Sequence, residues 1–229
     1  MACGSATPPT SSQREDAVIR IRLVTRLWRR QGIDDATPID ALLAAGFVAI
    51  DLETTGLDVR RDVVVSAAAV PFEAGRPREG FVTLVNPGRP IPPGSTAIHG
   101  IDDAAVAGAP SLHDVLPRFD SVCTHRIVVG HDVGFDLAVL ARARPAPPES
   151  RPRVTLDTRR LARSAGFRDS RLEVVAQRLH IPVAGRHTAD GDARIAGEIL
   201  LGLLPALRAR GARTIGDLVR LQRSAPLYD

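Results

Sequence analysis

Apolar residues follow two rhythms along this chain, and the change from one to the other divides it. Phe47–Leu52, Val63–Pro71 and Phe81–Val85 are short apolar or β-branched runs bounded by Gly and charged turns, which predicts three consecutive strands. Further on, the apolar spacing alternates between helix and strand. A helix is expected over 111–124, with Pro117 either bending it or marking its first turn. A buried strand at Arg126–Gly130, a helix over Val133–Ala143 and a short strand around Val154–Leu156 follow, the last two separated by the Pro-rich connector Arg144–Pro152. Helices are then expected near 158–165, 171–180, 189–204 and 214–223. Asn86–Gly94, with four prolines, reads as loop. Strands first and alternating elements later predict an α/β fold with a mixed sheet flanked by helices.

The first 46 residues have a different character. Residues 1–14 are rich in Ser, Thr and Pro and read as a disordered tail. Residues 16–31 carry an apolar stripe of Val18, Ile21, Leu23, Val24, Leu27 and Trp28 at helical spacing. A second short helix starts at Thr37-Pro38 and stops at Gly46. The expected organisation is a tail with a helical extension over 1–46, a main domain over 47–204 and a C-terminal helical tail over 205–229.

Composition changes the picture little. A chain of 229 residues with 44% hydrophobic and 24% charged residues is ordinary for a globular protein. All 30 basic residues are Arg, and the net charge of +4 suits an anionic partner without naming one. Cys3 and Cys123 form neither a disulfide framework nor a zinc motif. The N-terminus has no apolar signal core and no run is long enough to span a membrane, so the expectation is a soluble cytoplasmic protein.

The candidate chemistry lies in three blocks: Phe47-Val-Ala-Ile-Asp51-Leu-Glu53-Thr-Thr-Gly56-Leu57, Val128-Val-Gly-His131-Asp-Val-Gly-Phe135-Asp136 and His187-Thr-Ala-Asp190-Gly-Asp192-Ala193. Asp51 and Glu53 stand two apart at a strand end, so both side chains leave one face and repel unless a cation sits between them. With no Cys or His cluster, a hard oxygen-seeking ion such as Mg²⁺ is the natural occupant. Thr54, Thr55 and Gly56 add a tight turn, hydroxyls and backbone donors. Asp136 starts a helix, where a role in the helix dipole and a role in metal binding are both open. His187 and Asp192 are five apart and would not share a helix face, so His187 belongs to a loop, free to take a proton from water. Asp190 reads as a helix-start carboxylate and His131 as a hydrogen-bonded structural residue.

These blocks, with Ile98-His99-Gly-Ile101 and Leu156-Asp-Thr158 between them, occur in an order that resembles the DEDD-type 3′–5′ exonucleases with a histidine in the third motif. That is the DnaQ-like proofreading group, which includes the epsilon subunits of DNA polymerase III, and the resemblance covers roughly residues 47–204. It implies a ribonuclease H-like mixed five-stranded sheet and two Mg²⁺ or Mn²⁺ ions. Asp51 would bridge both ions, Glu53 and Asp192 would hold the nucleophile-side ion, Asp136 would anchor the other, and His187 would deprotonate the attacking water. Thr54, Thr55, Gly56 and Leu57 would touch the terminal nucleotide and Ile98-His99 would wall its pocket, with Phe135 either beside them or in the core. The implied partner is nucleic acid with a free 3′ end, single-stranded DNA first, and a DNA polymerase subunit is a possible second partner. The product would be a nucleoside 5′-monophosphate.

Departures from the pattern are Asp132, where the family usually has Asn, and Ser66, where Glu is common. The first 46 residues match nothing in the family core. Two rival readings remain: an exoribonuclease trimming RNA 3′ ends, and a catalytically silent nucleic-acid-binding or scaffold module. The Thr-Thr after Glu53 favours the proofreading branch, since oligoribonucleases typically carry Met-Thr there. None of the five catalytic positions is lost, which favours activity.

Overall fold

The computed structural model describes residues 36–144 and 154–225. The tail over 1–14, the expected helix over 16–31 and most of the Pro-rich connector lie outside them. Among the described residues six strands form one mixed sheet: β1 (Phe47–Thr54), β2 (Val64–Glu73), β3 (Arg76–Pro77), β4 (Phe81–Leu84), β5 (Val128–Gly130) and β6 (Thr155–Asp157). β2 lies antiparallel to β1, while β5 and β6 continue parallel on the other side of β1. The two-residue β3 and the strand β4 both pair with β2, so six strands occupy five positions. The helices among the described residues are α1 (Ile39–Ala45), α2 (Pro93–His99), α3 (Asp103–Val106), α4 (Leu112–Cys123), α5 (Gly134–Ala143), α6 (Thr158–Ser164), α7 (Leu172–Arg178), α8 (Ala189–Ala209) and α9 (Ile215–Ser224).

Both faces of the sheet are covered, which is why its central strands read as continuous apolar runs. Alternate residues of β1 serve different layers. Phe47 and Ala49 join Phe72, Val129 and Leu156 in a core shared with α1, α6, α7, α8 and α9. Val48, Ile50 and Leu52 face α4 and α5 with Phe119, Val139 and Leu140. Asp51 and Glu53 share the parity of Phe47 and Ala49, so the strand's period of two turns both acids toward the face that carries α8.

α8 is the central helix. It packs so closely on β2 that a β-carbon at Gly197 would lie 2.3 Å from the Phe72 ring. Gly197→Ala is therefore expected to destabilise the protein by about 1–3 kcal/mol through overpacking, read as a lower denaturation midpoint. An unchanged midpoint would mean that Phe72, stacked on Phe47, can move aside.

Three expectations change. α8 does not stop before Pro205 but runs to Ala209, because Leu203, Leu204 and Leu207 are buried and hold the helix past its proline. The division expected at residue 204 thus falls inside α8, and beyond it α9 buries Ile215 and Leu218 in the main core. Pro117 lies inside α4, which begins at Leu112 with the Ser111 hydroxyl capping Asp114 N–H. The proline run 87–93 does not end in loop: Pro93 opens α2, since its fixed φ suits a first helical turn, and Gly94 falls within that helix.

The short helix α1 is joined to the C-terminal region rather than standing apart. Ile39 N–H donates to Arg213 C=O at 3.0 Å, and Ile215 N–H donates to Thr37 C=O at 2.8 Å. α9 is fastened to β6 by one side chain. The Gln222 amide accepts from Asp157 N–H at 2.9 Å and donates to Thr155 C=O at 2.8 Å. Cys123 is half-buried, and burial pushes its thiol up to about 12, consistent with a packing role. Among the described residues no helix is long and apolar enough to cross a membrane.

Candidate active site

Three parallel strands end together, and the acids collect at their C-terminal ends. β1 supplies Asp51 and Glu53, the turn after β5 leads to Asp136 at the start of α5, and β6 ends on Asp157. A register shift in the β1–β2 ladder between Glu53 and Thr54 bends the strand where it leaves the sheet. From the covering layer, the first turn of α8 brings down Asp192.

Ligand oxygens of Asp51, Glu53 and Asp192 lie within 4.8 Å of one another. Asp136 stands outside that triangle, yet its charge acts on Asp51. Burial pushes Asp136 itself up to about 8, against the opposing pull of nearby backbone N–H groups at Asp136 and Leu52. Burial raises Asp51 well above the usual carboxylate range, and the charges of Asp136, Asp192 and Glu53 add to it. Burial and then Asp192 push Glu53 up to about 7. Asp192 is raised by burial against the opposing pull of Arg186 and His187.

Asp192 Oδ1 is buried without a hydrogen-bond partner. An orphaned carboxylate oxygen beside two more carboxylates, with oxygen as the donor atom throughout, fits a hard divalent cation.

These shifts have a consequence for stability. Glu53 binds its proton more tightly in the folded state, about 7 against an ordinary 4.5. Its contribution is therefore present in acid and lost as pH rises through 7. In EDTA the thermal midpoint is expected to fall between pH 5 and pH 8, whereas stabilisation by added Mg²⁺ should grow over the same window, because the ion needs ionised ligands. Parallel pH dependence with and without Mg²⁺ would show that these carboxylates do not form the ion's site.

His187 lies in the loop before α8, exposed, with φ of 62°. Its backbone N–H is near enough to the Asp192 carboxyl to favour the charged form against burial. The loop is folded tightly onto the helix start. Thr188 caps α8 by accepting from Gly191 N–H at 3.1 Å, and its hydroxyl donates to Gly185 C=O at 2.7 Å. A β-carbon at Gly191 would meet that same carbonyl oxygen at 2.0 Å, so only glycine permits the approach. Asp190 points elsewhere and pairs with Arg194 at 2.8 Å.

Two large apolar side chains stand open to water, one on the loop that follows Glu53 and one on α2. Leu57 is 86% exposed and Ile98 61% exposed, both unusually open for residues of their size. The Thr54 hydroxyl donates to Gly56 C=O at 2.7 Å, and Thr55 donates to Asp62 at 3.0 Å, so both hydroxyls shape the loop that holds up Leu57. A β-carbon at Gly56 would strike the Asp62 carboxylate at 2.5 Å. Ser95 ties α2, and with it Ile98, to Thr55 C=O at 2.7 Å. His99 is buried; its Nδ1 accepts from Ile101 N–H at 3.1 Å, leaving Nε2 unpartnered. Phe135, in the first turn of α5, is half-buried and packs against the core layer that holds Phe119 and Leu140.

Other residues acquire roles that sequence reasoning left open or missed. The charge of Asp132 is met by Arg159 at 2.8 Å, and Ser66 turns its hydroxyl to Thr83 C=O at 3.3 Å. His131 Nδ1 lies 2.9 Å from the Thr158 hydroxyl, and burial lowers its pKa to about 4, so it stays neutral and structural. Asp157 caps α6 and accepts from Asp132 N–H at 3.1 Å, fixing the turn before Asp136. Arg186 is the principal omission: its guanidinium bonds Asp192 and reaches Glu173 at 3.3 Å. A lone cation directly before His187 was the available signal.

Comparison with known proteins agrees with this geometry. The exonuclease family model RNase_T matches residues 48–200. A DNA polymerase III subunit epsilon-like protein of Rhodobacter capsulatus is 42% identical over 190 residues, covering 80% of this chain and 27% of that protein. The DNA polymerase III subunit epsilon of Aquifex aeolicus is 36% identical over 187 residues, covering 80% of this chain and 92% of that one. The chain thus spans about a quarter of the Rhodobacter relative, and 14% of a PolC-type DNA polymerase III of Caldanaerobacter subterraneus. Among solved structures, Exonuclease X in complex with 5′ overhanging duplex DNA superposes with a TM-score of 0.61 at 26% identity, covering 77% of this chain and 99% of that chain. Escherichia coli Exonuclease I with a dA16 oligonucleotide shares the fold, with a TM-score of 0.62 at 18% identity over 76% of this chain and 43% of that chain. From its matched domain, its relatives and its ribonuclease H-like sheet, the chain belongs to the exonuclease family, in the DnaQ-like 3′–5′ branch.

Proposed function

We propose that this chain is a metal-dependent 3′–5′ exonuclease that releases nucleoside 5′-monophosphates from single-stranded DNA ends. The observation that carries this reading is the meeting of Asp51, Glu53 and Asp192 within 4.8 Å, with a buried unpartnered oxygen on Asp192. Asp51, Glu53, Asp136 and Asp192 would hold two Mg²⁺ or Mn²⁺ ions. Such ions neutralise a phosphodiester and polarise its oxygens.

The chain's own residues do the rest. Leu57 and Ile98 receive the terminal nucleoside on apolar surface that is otherwise open to water. His187, on the exposed loop, takes the proton from the attacking water at an imidazole nitrogen. The Gly185–Gly191 contact keeps that histidine in step with Asp192. Association with a DNA polymerase is part of the same reading, supported by the epsilon relatives.

The test is degradation of 5′-labelled DNA and RNA oligomers with Mg²⁺ or Mn²⁺, with EDTA as control. A metal-dependent ladder shortening from the 3′ end is expected, with DNA the better substrate. Absence of a ladder on both, with binding retained, would leave a nucleic-acid-binding module.

A further inference from the structure

Between the end of α6 and the start of α7 the surface opens into a cavity of about 820 Å³. Four of its lining residues are arginines, Arg159, Arg163, Arg168 and Arg171, against a single acid, Asp169. Two further guanidinium groups reach its edge. Arg178 lies 5.9 Å from the centre of the Phe167 ring, and Arg210 comes within 3.1 Å of where a β-carbon of Gly166 would sit. Arg168 is exposed, and among the described residues it has no acidic partner.

The cavity is linked to the acidic cluster on two sides. Arg159 pairs with Asp132 at 2.8 Å, four residues before Asp136. Arg171 reaches Glu173 at 3.6 Å, Glu173 pairs with Arg186 at 3.3 Å, and Arg186 bonds Asp192. Three successive ion pairs therefore join the cavity's Arg171 to Asp192.

We propose that this arginine-lined cavity is the track for the phosphodiester backbone of the substrate strand upstream of its terminal nucleotide. The proposal rests on the exonuclease reading above. A strand whose 3′ end sits among carboxylates has its next phosphates beside negative charge, and guanidinium groups are the side chains best shaped to receive them. The cavity is far larger than one phosphate ion, which fits a run of chain rather than a single anion. Phe167 is the one aromatic lining residue, so the grip is electrostatic and indifferent to base sequence rather than built on stacking.

The test compares the full chain with its Arg168→Ala/Arg178→Ala double variant, which leaves the Arg159–Asp132 pair beside the acids intact. Binding of a fluorescent single-stranded oligodeoxynucleotide of about 20 nucleotides, longer than a single groove covers, is followed in EDTA across a salt series. Hydrolysis of the p-nitrophenyl ester of thymidine 5′-monophosphate with Mn²⁺ is followed beside it. The variant's Kd should rise about tenfold and its salt slope flatten by about 1.4, roughly 0.7 for each single-strand phosphate that is no longer neutralised.

The ester has no upstream phosphate, so its kcat and KM should stay at wild-type values. Arg168→Lys alone, which keeps the charge, should bind nearly as well as wild type. Unchanged Kd and slope would overturn the track. An equal loss on the ester would overturn it too, by placing these arginines at the reacting centre. Equal weakening for thymidine 5′-monophosphate and the long strand would reduce the cavity to a small-anion site. If the wild-type chain binds the strand but cleaves neither substrate, the exonuclease reading fails while the binding series still decides the track.

Discussion

Replacing Asp51 with asparagine is expected to lower exonuclease turnover by at least about a thousandfold, on the order of 4 kcal/mol in barrier, while making the metal-free protein more resistant to heat. The two effects have one cause. Asp51 is the acid on which the others converge: burial and the charges of Asp136, Asp192 and Glu53 all raise its pKa. An amide of the same shape removes a ligand that the proposed ions require. It also removes the charge that three neighbours repel, so folding without metal becomes easier.

Single-turnover cleavage with Mg²⁺ gives the first number, and thermal denaturation in EDTA at pH 8 gives the second. A variant that cleaves within tenfold of wild type would exclude Asp51 from the chemistry. A variant that loses activity and also melts earlier in EDTA would point to a damaged fold rather than a missing ligand.

Replacing His187 with alanine should lower turnover by about 10²–10⁴-fold, the usual contribution of a positioned general base, and leave Mg²⁺ binding intact. The side chain is exposed, and the backbone N–H that favours the charged form of Asp192 is retained by alanine. Mg²⁺-induced stabilisation should therefore match wild type in a thermal shift titration, while single-turnover cleavage collapses. A matching loss of Mg²⁺ stabilisation would mean that the imidazole serves the metal site rather than the water. Because φ at this position is 62°, asparagine, which tolerates left-handed backbone well, is the second variant to compare. Asparagine and alanine should be equally slow if only the base is missing.

The sheet was legible because its strands announce themselves by parity. In β1 the apolar residues alternate between two buried layers, and the same alternation sends Asp51 and Glu53 together toward α8. Asp192 and His187 were legible because five residues cannot share one helix face, which separates a loop histidine from a helical aspartate. What was hidden depends on long-range packing. Nothing local reveals that Leu207 will be buried, so Pro205 reads as a stop. Proline clusters read as loop, although one of them supplies the first turn of α2. The role of Arg186 was hidden because it depends on Glu173 in α7, thirteen residues earlier in the chain. The charge of Asp132 read as a departure from the family pattern, and Arg159, brought near by the fold, answers it.

The Gln222 amide has a consequence for how the molecule behaves in a crowd. Thr155 C=O and Asp157 N–H are the groups that a seventh strand would use to add itself beyond β6, and one side chain from α9 meets both. In effect, a glutamine stands in for a neighbouring strand. With this donor and this acceptor engaged, the β6 margin is a poorer template for pairing with another chain. The last helix thus guards against aggregation, and a chain cut back to the catalytic residues would keep its acids but lose that guard.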